Sequence, residues 1–461
     1  MKVKTLALSL SFLIVLIACF QIPMAMTVVI SPPPPPPPPA ELLWWDPAGT
    51  NDIALSKDGQ YVAAVGIAFS GELRFYNRSS ETPKTPQWTW STGEDLLSVA
   101  ISRDGSCVAA GGAHVFFWKN AGSLTGTQDP TWTSDPLGPF MRRCLAISDD
   151  GNYVVAGAGW NVYYWANAKG KSSPPTVAAT WSYSCGVGYI VHAVDMSSDG
   201  NYVVVGAGGV PSHNVMYWKD ARSLPSGTQS PVWISTEPDN SVVDIAISDD
   251  GNYVAAATAP VTTVYYWAGA RNRYSTSELS TWYGGLGVSF ISIDMSSDGD
   301  SVIAGALVGA LPPFTGRVYF WGGARGLTGR PQNPTWTYDT ANPVEDVAIN
   351  AAGDYMAAAN DVVTSYVYFF DNKGNSLWNP PYQLDMPVSS ISISSDGGTL
   401  AVGTGPMLSD YLFDTGYRTP AKPVGGFLVP VDKLQLLSPW ITVALAALAL
   451  TFFATKRRRK T

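Results

Sequence analysis

An all-β, eight-bladed propeller is the fold class that the sequence predicts, and three observations predict it. A tetrapeptide ending in glycine recurs eight times, at spacings of 44 to 54 residues. Each copy lies between two short runs of apolar and β-branched residues, which is the pattern of a β-hairpin. Aromatic residues, mainly tryptophan, recur at two fixed places in the repeat. Repeats of this length built from four short strands are typical of propeller blades.

The tetrapeptide marks the turn between the first two strands of each repeat. Seven of its eight copies read Ser-x-Asp-Gly, and the exception is Asn350-Ala351-Ala352-Gly353. The fifth repeat shows the whole pattern: DIAIS, the turn, YVAAAT, a loop, VYYW, a longer loop and STW. We therefore expect four antiparallel strands in each blade, called a, b, c and d in chain order. The turn glycines are Gly59, Gly105, Gly151, Gly200, Gly251, Gly299, Gly353 and Gly397.

Two aromatic columns run through the repeats. Strand c is expected to end at Tyr76, Trp118, Trp165, Trp218, Trp267, Trp321, Phe370 or Phe413. Strand d is expected to carry Trp88, Trp132, Trp181, Trp233, Trp282, Trp336 or Trp378. The last repeat has no d strand of its own, but Trp44 fits that column because it lies 44 residues before Trp88. We expect the N-terminal strand around Trp44 to complete the last blade and leave no open sheet edge, the alternative being a linker with chance tryptophans.

These repeats resemble WD40-type repeats, in which a strand, Ser-x-Asp-Gly and a strand ending in tryptophan recur at similar spacing. The resemblance spans about Leu42 to Asp414. The Gly-His element of such repeats is absent, and the residue after the c-strand aromatic is aspartate only at Asp371 and Asp414. The resemblance therefore implies the propeller architecture of four-stranded blades, but not the hydrogen-bond network that those residues usually build.

The N-terminal region is predicted to direct export. Lys2 and Lys4 precede an apolar run, so residues 1–26 are predicted to be a signal peptide or an N-terminal anchor. Cleavage after a lipoprotein-like box at Cys19, cleavage near Ala25 and retention of the segment all stay open. Residues 27–41 form a proline-rich spacer with eight consecutive prolines, and residues 42–417 are assigned to the propeller.

The C-terminal region is predicted to anchor the chain. A stalk is assigned to residues 418–433, a transmembrane helix to 434–455 and a basic cytoplasmic tail to 456–461. The alternative is a buried core helix beside a basic tail. The expected location is the cell membrane, with a single span, an extracytoplasmic propeller and a cytoplasmic C-terminus. This combination of leader, propeller, stalk and basic-ended anchor resembles cell-surface proteins of archaea.

Composition narrows the possible functions. A net charge of −8 and a pI near 4.9 argue against nucleic-acid binding, which needs a basic surface. The three histidines form no metalloprotease motif, and no nucleophile elbow, phosphate loop or dinucleotide fingerprint occurs. We therefore predict no catalytic residue, metal or cofactor, although enzyme status stays open. Cys107, Cys144 and Cys185 are expected to be buried thiols, with one disulfide among them as the alternative.

The predicted binding surface lies on the loops that vary most between repeats. In a four-stranded meander the b–c and d–a loops share one face, and there the repeats differ in length and in aromatic content. The alternative is that these aromatic residues only plug the blade tops. His192 and His213, with Asp195 and Cys185 nearby, are the one polar group that acid–base or metal chemistry would use. The ligand-binding candidates are Trp160, Tyr189, His192, His213, Phe290 and Phe314.

The inner a strands carry a second irregularity. Repeats four and six place Asp195 and Asp294 two residues further along strand a than Asp52, Asp244 and Asp346. We expect these carboxylates to accept hydrogen bonds from a neighbouring blade, with a cation site near the axis as the alternative. The predicted function is binding or scaffolding of a cell-surface protein or glycan. An extracytoplasmic enzyme acting on polysaccharide and a purely structural envelope protein stay open, as do the oligomeric state and glycosylation at Asn77.

Overall fold

The computed structural model describes residues 40–420, apart from 67–70, 80, 82, 210–213, 239, 261, 310–311, 363 and 406–408. The predicted leader, the proline run, the transmembrane helix, the basic tail and His213 lie outside the described residues, as does the stalk beyond Pro420. Among the residues described, no helix combines the length and apolar character needed to cross a bilayer.

Eight antiparallel blades of four strands each make up the described chain. Strands a are Asp52–Leu55, Ser98–Ile101, Phe140–Ile147, Tyr189–Met196, Ser241–Ile247, the second part of Trp282–Met295, Val344–Ile349 and Val388–Ile393. Strands b are Tyr61–Val65, Cys107–Gly111, Tyr153–Ala158, Tyr202–Gly209, Tyr253–Ala259, Ser301–Val308, Tyr355–Asn360 and Thr399–Thr404. Strands c are Glu72–Asn77, Val115–Lys119, Asn161–Ala166, Asn214–Lys219, Thr262–Ala268, Thr315–Gly322, Ser365–Asp371 and Asp410–Asp414.

The outermost strands d complete the blades. They are Trp88–Ser91, Trp132–Thr133, Trp181–Ser184, Trp233–Ser235, the first part of Trp282–Met295, Trp336–Thr340, Tyr382–Leu384 and, for blade 8, Glu41–Asp46. Two short strands, Gly126–Thr127 and Gly227–Thr228, pair with the d strands of blades 1 and 3. Five 3-10 helices begin the c–d loops of blades 2 to 6: Ala121–Ser123, Ala168–Gly170, Ala221–Ser223, Ala270–Asn272 and Ala324–Gly326.

The N-terminal strand closes the ring, as predicted. Glu41–Asp46 pairs antiparallel with Asp410–Asp414, the c strand of blade 8. Trp44 is fully buried and packs on Tyr76 of blade 1, with ring centroids 4.9 Å apart. The blade thus combines strands from both ends of the propeller, so ring closure depends on contacts between residues more than 360 positions apart.

Each Ser-x-Asp-Gly turn is held by its own side chains. In blade 5, Ser248 Oγ donates to Asp250 Oδ1 at 2.8 Å and accepts the N–H of Tyr253 at 3.0 Å. Asn350 replaces the serine in blade 7, where its Oδ1 accepts the N–H of Tyr355 at 3.0 Å. The eight turn glycines have φ between 69° and 79°. A side chain there would be strained, and glycine is therefore required.

Backbone hydrogen bonds between neighbouring turns form a continuous ring. In each of the eight blades an N–H of the turn donates to a carbonyl of the next turn, at 2.8 to 3.3 Å. The pairs are Asp58 with Arg103, Arg103 with Asp149, Asp149 with Ser198, Ser198 with Asp249, Asp249 with Ser297, Ser297 with Ala351, Ala351 with Ser395 and Ser395 with Lys57. The last pair joins blade 8 to blade 1, so the ring is closed at the axis as well as at the shared blade.

The tryptophan column of strand d joins the outer parts of the blades. Trp181 stacks on Tyr164 of its own blade at 4.9 Å and on Trp218 of the next blade at 5.8 Å. Its Nε1–H donates to the Ala221 carbonyl at the start of the next 3-10 helix, at 3.0 Å. Blades 1, 2, 4 and 5 repeat this bond at 2.9 to 3.0 Å. Each tryptophan therefore contributes both buried aromatic area and a directional contact to the next blade.

The meander gives the propeller two different faces. The a–b turns and c–d loops lie on one face, which we call the turn face, and the b–c and d–a loops lie on the other, which we call the rim face. Strand Glu41–Asp46 begins at the turn face, and the chain after Asp414 returns there. Thr419, for example, donates its N–H to the Asp396 carbonyl in the turn of blade 8 at 2.7 Å. Both described ends of the chain therefore leave from the turn face.

A pair of matched substitutions tests the hydrogen bond of the tryptophan column. Trp181→Phe removes the Nε1–H that donates to the Ala221 carbonyl. Trp378→Phe removes the same ring volume, but the Nε1 of this buried indole has no partner among the described residues. We expect Trp181→Phe to lower the free energy of unfolding by about 1 kcal/mol more than Trp378→Phe, as measured by urea titration. Equal losses would show that aromatic packing alone joins the blades.

Candidate functional site

Aspartate side chains join the a strands around the central channel. In five blades an a-strand carboxylate accepts a backbone N–H from the a strand of the next blade, at 2.8 to 2.9 Å. The pairs are Asp52 with Val99, Asp195 with Ile247, Asp244 with Ile293, Asp294 with Ile349 and Asp346 with Ile391. The predicted structural interpretation of these carboxylates, hydrogen bonding to a neighbouring blade, is therefore confirmed.

Blade 3 departs from the other blades where strand a enters from the rim face. In blades 4 to 8 a single residue bulges out of the pairing between strands a and b. In blade 3 the four residues 141–144 lie between the paired residues Phe140 and Leu145, opposite Gly157 alone. Arg143 within this bulge has a φ of 61°, an uncommon conformation for a residue other than glycine. The other bulges have one residue opposite none, whereas this one has four opposite one, so it is longer by two residues. The longer bulge places Arg142 and Arg143 at the channel.

Arg143 reaches the far wall of the channel. Its guanidinium donates to the Ile291 carbonyl of blade 6 at 2.9 Å and to Asp346 Oδ1 of blade 7 at 3.0 Å. Nε also lies 3.7 Å from Asp244 of blade 5. Burial lowers the pKa of Arg143 and the facing carboxylates raise it, with a net rise, so the side chain stays charged. One arginine therefore joins blade 3 to three blades across the channel.

Arg142 makes a second set of contacts beside it. Its guanidinium pairs with the Glu345 carboxylate of blade 7 and donates to the Ser389 carbonyl of blade 8 at 3.3 Å. A longer contact of 3.5 Å reaches the Asn51 carbonyl of blade 1. Together the two side chains cross the channel near its rim-face end, and we call them the arginine pair. They form the floor of a cavity of about 410 Å³ whose lining includes Leu97, Met141, His192 and Val243.

Exposed apolar side chains lie beside this cavity. Met141, Trp160, Val187 and Ile190 have 40, 46, 86 and 45% of their surface exposed, and we call them the rim patch. Trp160 and Val187 belong to loops of blade 3 and between blades 3 and 4, and Met141 and Ile190 lie at the rim-face ends of the a strands of blades 3 and 4. Backbone hydrogen bonds join those loops, from Cys185 N–H to the Trp160 carbonyl at 2.8 Å and from Val191 N–H to the Gly159 carbonyl at 2.8 Å. Folded proteins seldom expose such a group without a binding role.

The predicted site residues are only partly brought together. Trp160, Tyr189 and His192 lie on the rim side of blades 3 and 4, and His192 lines the cavity. Phe314 is 37% exposed but belongs to the b–c loop of blade 6. His213 lies outside the described residues.

The assignment of Phe290 to the binding surface was wrong. Its side chain is fully buried and packs edge-on against Tyr319, with centroids 5.2 Å apart. Phe290 is the residue of strand a that precedes the one-residue bulge, and the residues at this place in other blades, such as Val191 and Val242, are also fully buried. Phe290 therefore belongs to the core between strands.

A second cavity, of about 240 Å³, lies at the turn-face end of the channel. Lys57 spans its mouth, with Nζ 2.8 Å from Asp149 and 3.0 Å from Asp249. Asp195 and Asp294 line its wall. Burial raises the pKa of each carboxyl to about 7, and backbone N–H donors oppose the rise. Both oxygens of each carboxylate accept a backbone N–H, one from their own strand and one from the next blade.

Solved structures with the same architecture are known. The C-terminal WD40 domain of Sif2 superposes with a TM-score of 0.57 at 13% identity, over 82% of this chain and 98% of that domain. Sqt1 of Chaetomium thermophilum, solved bound to the N-terminus of ribosomal protein L10, gives 0.59 at 14% identity, over 81% and 100%. The fold is that of a WD40-type β-propeller. No protein-family model and no curated protein sequence matches the chain.

Several features of this WD40-type propeller were not predicted from its sequence. The arginine pair was missed, although two adjacent arginines at the start of an inner strand are unusual because the equivalent residues in other blades are His192, Val243 and Ile291. Met141, Val187 and Ile190 were missed because aliphatic residues near strand ends usually belong to the core. Their exposure follows from loop geometry, which the repeat pattern does not encode.

The structure describes the three cysteines of the propeller but not His213. All three described cysteines are free thiols, and Cys107 and Cys144 are buried. Burial raises the pKa of the Cys185 thiol to about 12, so it stays protonated near neutral pH. Within the described residues, no group of three or more histidine, cysteine, aspartate or glutamate side chains is placed to hold a metal ion.

Asn77, the possible glycosylation site, lies at the end of a c strand near the turn face. Its Oδ1 accepts from Ser79 Oγ at 2.5 Å and from the buried Lys84 ammonium at 2.9 Å. Its Nδ2 makes only a long contact of 3.4 Å with Gln87. Glycosylation of this residue stays a prediction.

The two channel carboxyls predict a dependence of stability on pH. The folded state holds their protons up to about pH 7, whereas the ordinary carboxyl pKa is 3.8. Stability should therefore fall as pH rises from about 4 to 7 and level off above that range. We expect the double substitution Asp195→Asn and Asp294→Asn to reduce this fall in melting temperature by roughly 2 °C, measured between pH 5 and pH 8. An unchanged pH profile would contradict the raised pKa values.

Proposed function

We propose that this chain is a membrane-tethered, extracytoplasmic binding or scaffolding module that engages a protein partner through the rim patch. The observation that carries the proposal is the group of four exposed apolar side chains beside a cavity at the channel mouth. Both described chain ends leave from the opposite face, which leaves the rim face open to a partner. A rigid ring that presents variable loops is well suited to binding.

The chemistry of the rim patch favours a protein over a glycan. Three of its four side chains, Met141, Val187 and Ile190, are aliphatic, and only Trp160 offers a ring on which a sugar could stack. Covering apolar side chains with a partner is favourable in proportion to the area buried, and tryptophan is among the residues that most often dominate binding between proteins. Sqt1, a structural neighbour, was solved bound to the N-terminus of a ribosomal protein, which supports a peptide or protein ligand for this fold.

The alternative of an enzyme acting on polysaccharide has less support. Its best candidates are Asp195 and Asp294, since both line a cavity. The contacts that the structure shows for them are backbone N–H groups of their own and the next blade, which gives both carboxyls a structural role between blades.

The proposed location rests on the ends of the sequence. The N-terminal leader supports export, and the apolar segment 434–455 followed by the basic residues 456–460 supports a single span with a cytoplasmic C-terminus. In that arrangement the turn face is directed toward the membrane and the rim patch away from it. The same arrangement supports assignment to a cell surface of the archaeal type.

Paired variants of the full chain test the rim patch. We expect Trp160→Ser combined with Ile190→Ser to lower the recovery of a cross-linked envelope protein about tenfold, because truncating central apolar side chains costs at least 1.4 kcal/mol of binding free energy. Phe314→Ser is the matched control, since it removes an exposed aromatic from another blade. Recovery is measured by quantitative mass spectrometry of cross-linked cells.

Two results would count against the rim patch as a protein-binding surface. Equal recovery with the double variant and with Phe314→Ser would contradict it. Loss of binding to purified surface polysaccharide, with protein recovery unchanged, would assign the patch to a glycan.

Deletion of residues 434–461 tests the location. If this segment anchors an exported propeller, the shortened chain should appear in the medium while the full chain stays with the membrane fraction, as shown by immunoblotting. Protease added to intact cells should reach the propeller of the full chain. Retention of the shortened chain in the cytoplasm would contradict the proposed export.

A further inference from the structure

The outermost strand of a blade has main-chain groups that its own sheet does not use. In blades 1 to 5 the c–d loop of the following blade bonds to these groups. The bonds run from Gly126 to Gln87, Val177 to Thr133, Gln229 to Ser182, Glu278 to Ile234 and Gln332 to Tyr283, each from N–H to carbonyl at 2.7 to 3.1 Å. The pairing is parallel in blades 1 and 3, and parallel bridges occur in blades 2 and 5. Five consecutive edges are therefore covered by an extended segment.

The edge of blade 6 does not receive this cover. Seven residues, 371–377, separate Phe370 from Trp378 in blade 7, whereas thirteen, 119–131, separate the equivalent residues of blade 2. The shorter loop reaches only the Trp336 indole, whose Nε1–H donates to the Asn372 carbonyl at 3.2 Å. Within the described part of the chain, no backbone hydrogen bond from blade 7 reaches Trp336–Thr340.

The blade 6 edge has main-chain groups that are directed outward, where another strand could pair with them. Trp336 and Phe320 are partners in the pairing of strands c and d, as Trp88 and Phe75 are in blade 1. By the alternation of an antiparallel pair, Thr337 corresponds to Thr89 and directs its N–H and carbonyl outward. Thr337 is exposed, and Trp336 is the one tryptophan of its column that is not fully buried. The missing loop thus leaves both backbone and ring surface accessible.

The outer edge of blade 7 receives no backbone hydrogen bond from the described residues of blade 8, and its sequence protects it in another way. Pro380 and Pro381 lie between Asn379 and the d strand Tyr382–Leu384, and proline has no N–H to offer to an incoming strand. Natural proteins commonly protect exposed edges with proline or lysine. The strand Trp336–Thr340, with the sequence WTYDT, contains neither. Of these two edges, only that of blade 6 keeps its pairing groups.

We propose that the outer edge of blade 6 binds an extended segment of a partner protein by parallel main-chain pairing along Thr335–Asp339. The covered edges indicate the chemistry of the segment. Gly126 and Gly227 lie opposite Trp88 and Trp181, and a threonine follows each glycine. Since glycine lies opposite the tryptophan in these two covered edges, we expect the occupant to be an extended segment with glycine opposite Trp336, and it extends the row of edge contacts around blades 1 to 5. This surface lies on the side of the propeller and is separate from the rim patch.

A peptide copied from the chain itself serves as the probe. A labelled octapeptide with the sequence of residues 123–130, SLTGTQDP, is titrated against the full chain and followed by fluorescence anisotropy. We expect saturable binding that falls at least about tenfold when the amides equivalent to Gly126 and Gln128 are N-methylated, because both donate in blade 1. Hydrogen exchange of residues 335–340 should slow when the peptide binds.

Two protein variants locate the site. Thr337→Pro removes the outward N–H, with Asp339→Asn as a control that keeps the backbone. In a second variant, residues 372–376 are replaced by the sequence of residues 120–130, so that the loop of blade 7 covers the edge as in blade 2. Both Thr337→Pro and the grafted loop should weaken peptide binding at least about tenfold, and a melting temperature at or above that of the parent shows that the grafted variant folds.

Three outcomes would overturn the proposal. They are the absence of saturable binding at about 1 mM peptide, unchanged binding by the grafted variant, and concentration-dependent self-association that Thr337→Pro abolishes. The last outcome would assign the edge to a second copy of the chain. Trp160→Ser should leave peptide binding unchanged, which separates this proposal from that for the rim patch.

Discussion

Closure of the ring is the constraint on which the rest of this structure depends. Eight blades must return to their starting point, and they do so through the backbone hydrogen bonds between successive turns and through the strand around Trp44. The turn glycines serve this closure twice. Their positive φ forms the turn, and a side chain at Gly251, for example, would lie 2.3 Å from the ring of Tyr202 in the preceding blade. The repeated tetrapeptide therefore sets both the hairpin and the approach of its neighbour.

These repeated contacts between neighbouring blades explain which parts of the structure could be predicted from the sequence. The turns, the tryptophan columns and the closing strand depend on the same local chemistry in every blade, so the repeat itself reveals them. Phe290 was misassigned because the repeat pattern does not show where the d–a loop ends and the buried part of strand a begins. The arginine pair depends on two additional residues in one bulge and on partners 91 to 247 positions away. The edge of blade 6 is uncovered because the c–d loop of blade 7 is short, and the repeat pattern does not show what a shorter loop leaves exposed.

The chemistry of the channel is consistent with a structural role for its charges. An a-strand aspartate buried against a neighbouring blade costs solvation energy, which its hydrogen bonds to backbone N–H groups offset. Arg143 supplies a positive charge where Asp244 and Asp346 face it. Removing Arg143 would leave Asp244 and Asp346 buried without the cation that faces them, which would be costly. The polar channel thus rigidifies the ring whose rim carries the exposed apolar side chains.

The two proposed surfaces differ in what they require of the propeller. The rim patch needs only loops whose positions are fixed by the strands beneath them, and its side chains could change without disturbing a blade. The edge of blade 6 would instead bind a partner through its backbone. The geometry would be the one in which the c–d loop of the following blade already bonds to the outer strand in blades 1 to 5. A partner strand there would bury more of Trp336, the least covered member of a column that otherwise holds the blades together. Binding at the edge would therefore also strengthen the contact between blades 6 and 7, since the Trp336 ring already packs on Phe370.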